Sequence, residues 1–368
     1  MPDKIVWWQP QMTGGEYSLI KQAIEANYIN EGDMAETFER KIAAFMGVKH
    51  VIACTSGTAA LFLALFALGL KPNDEVLVPD ITFIATANAV VLAGGKPVLV
   101  DIDPKTLCLD PEATRKAITP KTKAIMPVHV SGRTADMPAL MKLAKEHNLW
   151  MVEDAAEGLL SKRDGKFAGT WGEAGCFSFS PNKTITTGQG GIVVTNDDAL
   201  AVRLREAKDQ GRPVRGTGGD DTHHSIGFNF KFTNLQAAVG LAQLESLQKR
   251  MKRQQEIYSY YALNLKGIAG LKILPFDIEG GEVPQWTDAL VERRAELDKL
   301  LAEQGIGCRR FWHPIHTQAP YRQSDSLFPN AMRCSQQALW LPSAFVMAEE
   351  QQARVCDVIR KFFVGKAS

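Results

Sequence analysis

The stretch "CFSFSPNKTITTGQGG", residues 176–191, sets one lysine, Lys183, between two short apolar segments and ahead of a glycine cluster. Lys183 is the only charged residue between Glu173 and Asp197. The flanking segments, "EAGCFSFSP" and "GGIVVTND", have the composition of buried strands. A lysine at a strand end usually extends its ammonium group into solvent, whereas a lysine held among apolar neighbours can act as a nucleophile. Taken alone, the stretch favours the solvent-exposed arrangement.

Outward from this stretch, residues 16–250 alternate between helix-like and strand-like segments. Short runs rich in Val, Ile and Leu are predicted strands, and segments with apolar residues at helical spacing separate several of them. This alternation predicts an α/β fold with a mostly parallel sheet that is buried on both faces. The two strands that flank Lys183 are close enough in sequence to pair directly, as a hairpin. The other predicted strands are "HVIAC", "DEVLVP", "KPVLVDID", "KAIMPVHV" and "LWMVEDAA".

The pattern changes near residue 250, so we predict two domains: residues 1–249, with an N-terminal arm, and residues 250–368. Residues 234–267 carry apolar side chains about one or two turns apart and are predicted to form one long amphipathic helix. A smaller α+β domain is then predicted from strand-like and helical segments. These are "LKILPF", "WTDALV", "RRAELDKLLAEQG", "IGCRRFWHP" and "AEEQQARVCDVIRKFF".

The composition limits the classes of function that the protein can have. A net charge of +1 over 368 residues offers no electrostatic attraction to nucleic acid or to an anionic membrane. The six cysteines are scattered without CxxC spacing, so neither a zinc site nor a disulfide framework is indicated. No apolar run has the length of a signal peptide core or a membrane span. We therefore expect a soluble cytoplasmic protein without a metal site.

A second motif, "CTSGTAAL", lies where a predicted strand meets an apolar helix. The first amides of a helix are unpaired and carry the positive end of the helix dipole. Gly57 would allow close approach of a ligand, and Ser56 and Thr58 supply hydroxyl groups. The motif therefore suits a phosphate group, although Ser and Thr are also common as ordinary helix caps. No Walker motif and no GxGxxG fingerprint occurs in the chain.

A third motif, "WMVEDAAEG", ends an apolar strand with Glu153 and Asp154. Ligands of α/β proteins bind at the carboxyl ends of parallel strands, but a carboxylate there can equally cap the segment that follows. Considered together, the three motifs contain the groups that hold pyridoxal phosphate. These are a lysine for the Schiff base, a carboxylate for the pyridine nitrogen and a cradle for the phosphate.

A series of motifs resembles the DegT/StrS family of sugar-nucleotide aminotransferases, within the aspartate-aminotransferase fold type. The resemblance implies pyridoxal phosphate-dependent transferase fold type I. In that fold a mostly parallel, mixed seven-stranded sheet lies between helices, next to a smaller C-terminal α+β domain. The motifs are "TSGTAALFLAL", "VPDITFIATANAV", "KPVLVDIDP", "TKAIMPVHVSG", "VEDAAEG", "FSFSPNKTITTGQGGIVVTND" and "GFNFKFTNLQAAVGLAQLE", in that order.

The resemblance implies a role for each matching residue. Lys183 matches the Schiff-base lysine, and Asp154 matches the partner of the pyridine nitrogen. The remaining implied cofactor residues are Glu157 near the cofactor hydroxyl, Phe83 stacked on the ring, and Gly57, Thr58 and Ser178 with neighbouring Ser56 at the phosphate. Asn229, or else Lys231, matches a segment that reaches the cofactor phosphate of the neighbouring subunit, which implies a homodimer with shared sites.

The substrate is also implied by the resemblance. A lysine at position 183 rather than a histidine is typical of the aminating branch of the family. The stretches "NKTITTGQGG" and "RRFWHPIHTQAPY" resemble the corresponding sequences of perosamine-synthase-like 4-aminotransferases. These move an amino group from L-glutamate to a nucleotide-linked 4-keto-6-deoxy sugar, for polysaccharides of the O-antigen type. The candidate substrate ligands are Arg309, Arg310, His313 and His316, which would otherwise form a solvated strand end.

Two alternatives stay open. One keeps the cofactor and changes the substrate to a free keto sugar, an aminocyclitol precursor or an amino acid, although no arginine is clearly placed for a small α-carboxylate. The other is a non-catalytic regulator or scaffold with the same fold. Lys183 and Asp154 argue against that second alternative, because packing requires neither side chain.

Overall fold

A seven-stranded mixed sheet organises the first two thirds of the protein, of which residues 4–213 and 221–364 are described in this computed structural model. The spatial order is β1-β9-β8-β5-β4-β2-β3, with β9 antiparallel to both neighbours and the other pairs parallel. The strands are β1 (His50–Cys54), β2 (Glu75–Pro79), β3 (Lys96–Val100), β4 (Thr122–Ile125), β5 (Trp150–Asp154), β8 (Ala174–Ser178) and β9 (Gly191–Thr195), while β6 (Lys162–Arg163) and β7 (Lys166–Phe167) form a separate small hairpin. The predicted mostly parallel sheet and the predicted pairing of the strands that flank Lys183 are both confirmed.

Helices cover this sheet. The innermost is α3, which contacts β8 and β9 and is apolar all round because it is enclosed on every side. Its Ser56 cap accepts a hydrogen bond from the amide of Ala59 at 3.1 Å. The helices up to residue 213 are α1 (Gly15–Glu25), α2 (Asp33–Met46), α3 (Gly57–Leu68), α4 (Ala85–Leu92), α5 (Pro111–Ala117), α6 (Met137–His147) and α7 (Asp198–Lys208).

One edge of the sheet collects the motifs identified in the sequence. Because β5 and β8 are parallel, with Asp154 paired to Cys176, their carboxyl ends at Asp154 and Ser178 lie at the same edge of the sheet. The register pairs Gly191, at the start of β9, with both Ser178 and Cys54. The loop that carries Lys183 therefore leaves and re-enters the sheet beside the strand end that leads into α3.

The predicted single helix over residues 234–267 is wrong: two helices, α8 (Asn234–Leu244) and α9 (Leu247–Asn264), occupy this segment. The chain bends at Ser246, whose hydroxyl donates to the carbonyl of Gln243 at 2.8 Å and accepts from Arg250 Nε at 2.6 Å. A serine that bonds its local backbone competes with helix continuation. The apolar spacing was correct on both sides of this bend, so periodicity alone could not locate the break.

A second, antiparallel sheet follows, in the order β10-β11-β13-β12. Its strands are β10 (Leu271–Ile273), β11 (Thr287–Val291), β12 (Arg309–Arg310) and β13 (Ala338–Leu341), and its helices are α10 (Arg294–Glu303), α11 (Pro329–Gln337) and α12 (Glu349–Val364). This smaller C-terminal sheet was predicted, except for β13. The predicted domain boundary between residues 249 and 250 falls inside α9, and the division into two domains stays a prediction. Within the described residues, every helix is too short or too polar to cross a membrane.

Candidate active site

A cavity of about 350 Å³ opens at the carboxyl edge of the larger sheet. It brings together all the cofactor residues predicted within one chain, and Arg309 from the predicted substrate set. The predicted residues that line it are Ser56, Gly57, Thr58, Phe83, Asp154, Glu157, Ser178, Lys183 and Arg309. Motifs that are far apart in the sequence thus meet in one chamber.

Lys183 projects into this cavity from the loop between β8 and β9. Its Nζ lies 3.0 Å from Glu157 Oε1 and 5.2 Å from the ring centre of Trp286, and its side chain is 12% exposed. The loop is held from behind, because Arg250 donates to the carbonyl of Thr184 at 2.9 Å. The lysine that is isolated in sequence is therefore paired in space, with a carboxylate from beyond the end of β5.

Asp154 ends β5 and turns its carboxylate towards the cavity. Oδ2 accepts a hydrogen bond from Thr86 Oγ1 at 2.8 Å, and Oδ1 accepts from the amide of Ala156 at 3.2 Å. Burial raises the pKa of this carboxyl above its usual range, because two neutral donors and the more distant Lys183 charge offset only part of the lost hydration. A cationic ring nitrogen placed beside Asp154 would supply the missing countercharge. Sequence reasoning missed Thr86, which lies in a helix with no polar pattern.

The neighbouring Glu153 points to the opposite face of the strand. Its carboxylate accepts from the amides of Gly169, Trp171 and Gly172 at 2.8, 2.6 and 3.0 Å. His129 Nε2 lies 3.0 Å from the same group, and its Nδ1 accepts from the amide of Ala135, so Nε2 carries the proton. The two adjacent carboxylates thus have different surroundings, and only Asp154 faces the cavity.

Glu157 links the lysine to the protein interior. Oε1 contacts Lys183, and Oε2 accepts from the amide of Ser131 at 2.8 Å. Burial raises the pKa of the Glu157 carboxyl, while the Lys183 charge and the Ser131 amide act in the opposite direction. A carboxylate so close to the amine can exchange hydrogen bonds with it and with a hydroxyl group of a bound ligand.

The start of α3 forms the other end of the cavity. The amides of Gly57 and Thr58 donate to no described residue, so they remain available to an anion at the positive end of the helix. A Cβ atom on Gly57 would lie 2.7 Å from Ser178 Cβ, so only glycine fits here. Ser178 Oγ lies 3.0 Å from Ser180 Oγ and adds a hydroxyl group to the cradle. These donors fit a phosphate monoester, as the lysine and Asp154 fit the rest of pyridoxal phosphate.

Aromatic side chains form the remaining walls. Phe83 is 55% exposed, a large fraction for a phenylalanine beside a core, and its ring faces the cavity. Arg309 extends its guanidinium over the rings of Trp7 and Trp340, at 5.1 and 5.6 Å from their centres, and forms no ion pair within the described ranges. The lining also contains three tryptophans that were not predicted, Trp286, Trp312 and Trp340. Their signal was present in "QWTDALV", "RFWHP" and "ALWLP", but aromatic residues at strand ends are more often core residues.

The other predicted substrate ligands lie outside the cavity lining. Arg310 Nε contacts Asp298 at 2.7 Å on the surface, and His313 is exposed. His316 is fully buried, with Nδ1 2.6 Å from Asp80 Oδ2. His316 thus holds the segment after β12 against the segment after β2, which is a structural contact between distant parts of the chain.

The segment predicted to reach a neighbouring subunit is also outside this chain's own cavity. Asn229 is exposed, and its backbone pairs with that of Asp209. Lys231 Nζ lies 2.7 Å from Asp209 Oδ1. Among residues 4–213 and 221–364, no group of three or more His, Cys, Asp or Glu side chains is arranged to hold a metal ion.

Comparisons with known proteins agree with this geometry. Residues 10–360 match the sequence pattern of the DegT/DnrJ/EryC1/StrS aminotransferase family. The chain is 38% identical over 368 residues to GDP-perosamine synthase of Caulobacter vibrioides, covering 96% of this chain and 97% of that protein. It is 37% identical over 364 residues to GDP-perosamine synthase of Escherichia coli O157:H7, with 98% of each covered.

A solved structure extends the comparison to the fold. The crystal structure of S. venezuelae DesV matches with a TM-score of 0.90 at 33% identity, over 95% of this chain and 94% of that chain. The predicted fold type is therefore confirmed, and so is the predicted dependence on pyridoxal phosphate, because it is a property of the family. The chain belongs to the DegT/DnrJ/EryC1/StrS family and is a pyridoxal phosphate-dependent aminotransferase.

Proposed function

We propose that this enzyme transfers an amino group from L-glutamate to a nucleotide-linked 4-keto-6-deoxy sugar, in the synthesis of an amino sugar for a polysaccharide of the O-antigen type. The observation that carries the proposal is the cavity that joins Lys183, Asp154 and the start of α3. The names of the two GDP-perosamine synthases, at 37% and 38% identity over nearly the whole chain, support the substrate class.

In this proposal three elements hold the cofactor. The amides of Gly57 and Thr58, with Ser178, bind its phosphate at the start of α3. Asp154 lies beside the pyridine nitrogen and keeps it protonated, because an ionised carboxylate favours an adjacent cation. Phe83 covers one face of the ring, which accounts for its exposure in the chain alone.

Bound pyridoxal phosphate supplies the carbonyl carbon that accepts an amino group and a ring that withdraws electrons from the reacting carbon. Lys183 holds the cofactor through its Nζ and, once released, moves a proton on the substrate side of the cavity. Glu157 orients the lysine amine from 3.0 Å and would lie beside the ring hydroxyl of the bound cofactor. The tryptophans exclude water from these proton movements.

Arg309 is our candidate for the anionic part of the substrates. Its guanidinium lies between Trp7 and Trp340, at the cavity, without a carboxylate partner among the described residues. A planar guanidinium binds either a carboxylate or a phosphate with two hydrogen bonds. It therefore suits a reaction in which L-glutamate and a nucleotide diphosphate sugar enter the same site in turn. Arg310, His313 and His316 have weaker support, because they do not line the cavity.

We further propose a homodimer in which Asn229, or Lys231, reaches the partner's cofactor phosphate. Asn229 is exposed in the single chain, and nearby Ile226 is 76% exposed, as expected for a segment that another subunit covers. The cytoplasmic location and the two-domain division stay predictions.

The test is a substrate screen with purified holoenzyme. Nucleotide-linked keto sugars are supplied one at a time with L-glutamate, and 2-oxoglutarate is measured together with the amino sugar. We expect turnover with at least one 4-keto-6-deoxy sugar nucleotide and none with the corresponding free sugar. Turnover of free keto sugars or cyclitols alone would contradict the proposed substrate class and leave the aminotransferase assignment intact.

A further inference from the structure

A buried chain of hydrogen bonds runs from the cavity lysine to the C-terminal sheet. Lys183 contacts Glu157 Oε1, and Glu157 Oε2 accepts from the amide of Ser131. The hydroxyl of Ser131 then donates to Asp288 Oδ1 at 2.9 Å and accepts from Trp340 Nε1 at 3.1 Å. Asp288 belongs to β11 and Trp340 to β13. One serine therefore connects both central strands of the smaller sheet to the carboxylate that faces the lysine.

The donor and the acceptor in each of these hydrogen bonds follow from the groups that take part. An indole N–H can only donate, so Ser131 Oγ is the acceptor from Trp340. The Ser131 hydroxyl proton is then directed to Asp288, whose other oxygen receives Arg133. Ser131, Asp288 and Trp340 are fully buried, so none of these groups has water as an alternative partner.

The backbone at Ser131 supports a specific role. Its φ is 55°, in the left-handed region that side-chain-bearing residues adopt at a cost. This conformation directs the amide at Glu157 while the side chain points towards the C-terminal sheet. Non-glycine residues keep such a conformation where surrounding contacts over-determine it, and here those contacts are Asp288 and Trp340 at the side chain and the amide of Gln285, which donates to the Ser131 carbonyl at 2.8 Å.

Trp340 carries the connection onward to the substrate side. Its ring centre lies 4.8 Å from that of Trp286 and 4.9 Å from that of Trp312, and all three line the cavity. Arg309 lies over the same indole. A displacement of the Trp340 ring would therefore be transmitted through Ser131 to Glu157, and the reverse also holds.

We propose that Ser131 is a positioning residue that couples the aromatic substrate wall of the C-terminal sheet to Glu157 and through it to the nitrogen of Lys183. The inference rests on the proposed placement of the cofactor at Lys183. Ser131 touches neither lysine nor cavity, so it acts only by fixing the carboxylate and the indole.

The test uses the visible absorbance of the holoenzyme, which reports the protonation of the cofactor nitrogen on Lys183. An ionised Glu157 held close to this nitrogen favours its protonated form. In Ser131→Ala the backbone at residue 131 loses the two side-chain contacts that help to fix its amide and keeps only the backbone contact with Gln285, so we expect the midpoint of the absorbance titration to fall by at least about 0.5 pH units. In a Glu157→Gln background the same Ser131→Ala change should leave the midpoint unmoved, because the carboxylate through which it acts is gone.

Ser343→Ala is the matched control. Ser343 is also buried and joins the same two strands, since it accepts from the amide of Thr287 at 3.1 Å and donates to the carbonyl of Leu341 at 2.9 Å. It has no contact with Glu157. Its loss should lower the melting temperature about as much as Ser131→Ala does, without moving the midpoint.

Each possible result either supports or overturns the proposed role of Ser131. A Ser131→Ala midpoint equal to that of wild type, or a shift that persists with Gln at position 157, overturns the positioning role. Ser131→Cys, which is somewhat larger and keeps a weak donor, should shift less and serves the same comparison if the alanine variant does not fold. Borohydride should fix the cofactor to Lys183 in wild type. If another lysine is labelled, both the proposed cofactor site and the proposed role of Ser131 are wrong. If Lys183 is labelled but the midpoint of Ser131→Ala equals that of wild type, only the role of Ser131 is wrong.

Discussion

Two buried lysines, Lys183 and Lys208, show what distinguishes a reactive amine from a structural one. Lys208 ends α7, and its side chain is 3% exposed. Its Nζ meets three oxygens: Glu31 Oε1 at 2.6 Å, the carbonyl of Ala53 at 2.9 Å and Glu39 Oε1 at 3.6 Å. Two of these contacts are hydrogen bonds and the third is an ion-pair contact, so two of the three ammonium protons of Lys208 already have acceptors within the chain.

Lys183 is buried less completely and bonded less completely. Its amine has Glu157 as its acceptor and otherwise faces the cavity, over the ring of Trp286. Burial alone therefore does not mark the cofactor lysine, since Lys208 is the more buried of the two. The difference lies in the free space and the unfilled donor capacity in front of the amine, which are what a covalent partner requires.

The largest expected effect is the loss of Lys183. Lys183→Ala removes both the attachment point and the proton carrier, so we expect transamination to fall on the order of 10⁴-fold. Borohydride treatment of wild type should label the peptide that contains Lys183 and leave Lys208 unlabelled. Label on Lys208 would show that contacts with neighbouring oxygens do not protect a lysine and would invalidate the comparison.

The next effect concerns the countercharge in the same cavity. Asp154→Asn keeps the shape and the contacts with Thr86 and Ala156 but removes the charge beside the ring nitrogen. We expect a loss of about 4 kcal/mol in transition-state stabilisation, or roughly 10³-fold in kcat. Glu153→Gln is the matched control, because it perturbs the adjacent carboxylate on the other face of β5. Glu153→Gln should destabilise the protein and leave the kcat of the folded molecules unchanged. If instead Glu153→Gln lowers kcat and Asp154→Asn does not, Glu153 is the partner of the ring nitrogen.

The same substitution has a pH-dependent effect on the apoprotein. Burial raises the pKa of Asp154 above its ordinary value of 3.8, so the folded protein keeps this proton where the unfolded chain has released it. The free energy of unfolding therefore falls as pH rises from that value to the raised pKa. Asp154→Asn removes this slope, so its apoprotein should exceed wild type in stability by an amount that grows through this window and is constant above it. Urea unfolding of both apoproteins at several pH values measures this difference. If the difference in the free energy of unfolding is the same at every pH, the pKa of Asp154 is not raised in the folded protein.

Lys208→Met addresses the structural member of the pair. Removal of the ammonium takes away the cation that lies 2.6 Å from Glu31, while Glu39 keeps Arg205 at 3.0 Å, and breaking a buried ion pair in this way typically costs about 3–5 kcal/mol. We expect that loss in urea unfolding, with borohydride labelling of Lys183 unchanged in the folded fraction. A stable Lys208→Met protein that no longer binds the cofactor would contradict the division of roles.

Residues of the site could be located from the sequence where a local pattern fixes their position. Asp154 and Ser178 end apolar strands, and Gly57 starts an apolar helix, so the edge on which they meet follows from parallel pairing. Strand alternation also places Glu153 and Asp154 on opposite faces, but the sequence does not say which face holds the cavity. That choice depends on His129 and on the amides of residues 169, 171 and 172, which enclose Glu153.

Other parts of the site depend on contacts between distant segments. His316 was predicted to bind substrate, yet Asp80, 236 positions away, draws it into the interior. Strand β13 was missed because four residues, "ALWL", carry too little periodicity to be separated from a helix end. The break between α8 and α9 depends on one serine hydroxyl, and the pairing of Lys183 with Glu157 joins residues that no local pattern connects.

The smallest expected effect concerns a third lysine, Lys231, and its neighbour Asn229. Lys231 already contacts Asp209 at 2.7 Å, so by the criterion drawn from Lys208 it is the more occupied of the two, and Asn229 is the better candidate to reach the partner's cofactor phosphate. Asn229→Ala then removes one hydrogen bond to an anion, for which we expect about a tenfold loss of activity at low cofactor concentration.

Subunit mixing decides whether that contact crosses the dimer interface. In a shared site, the lesions of Lys183→Ala and Asn229→Ala fall on different chains. A heterodimer then has one site with both lesions and one site with neither, because the intact Lys183 comes from one chain and the intact Asn229 from the other. Equal mixing with free exchange makes half of the dimers heterodimers, so about a quarter of all sites should regain wild-type cofactor affinity.

This fraction is measured by titrating pyridoxal phosphate against activity at concentrations that Asn229→Ala homodimers cannot use. If each site belongs to one chain, every heterodimer site keeps one lesion, and complete exchange restores no high-affinity sites. Parallel mixing with Lys231→Ala in place of Asn229→Ala identifies which side chain makes the contact, since only the variant of the contacting residue should lack high-affinity sites as a homodimer and regain them when mixed with Lys183→Ala.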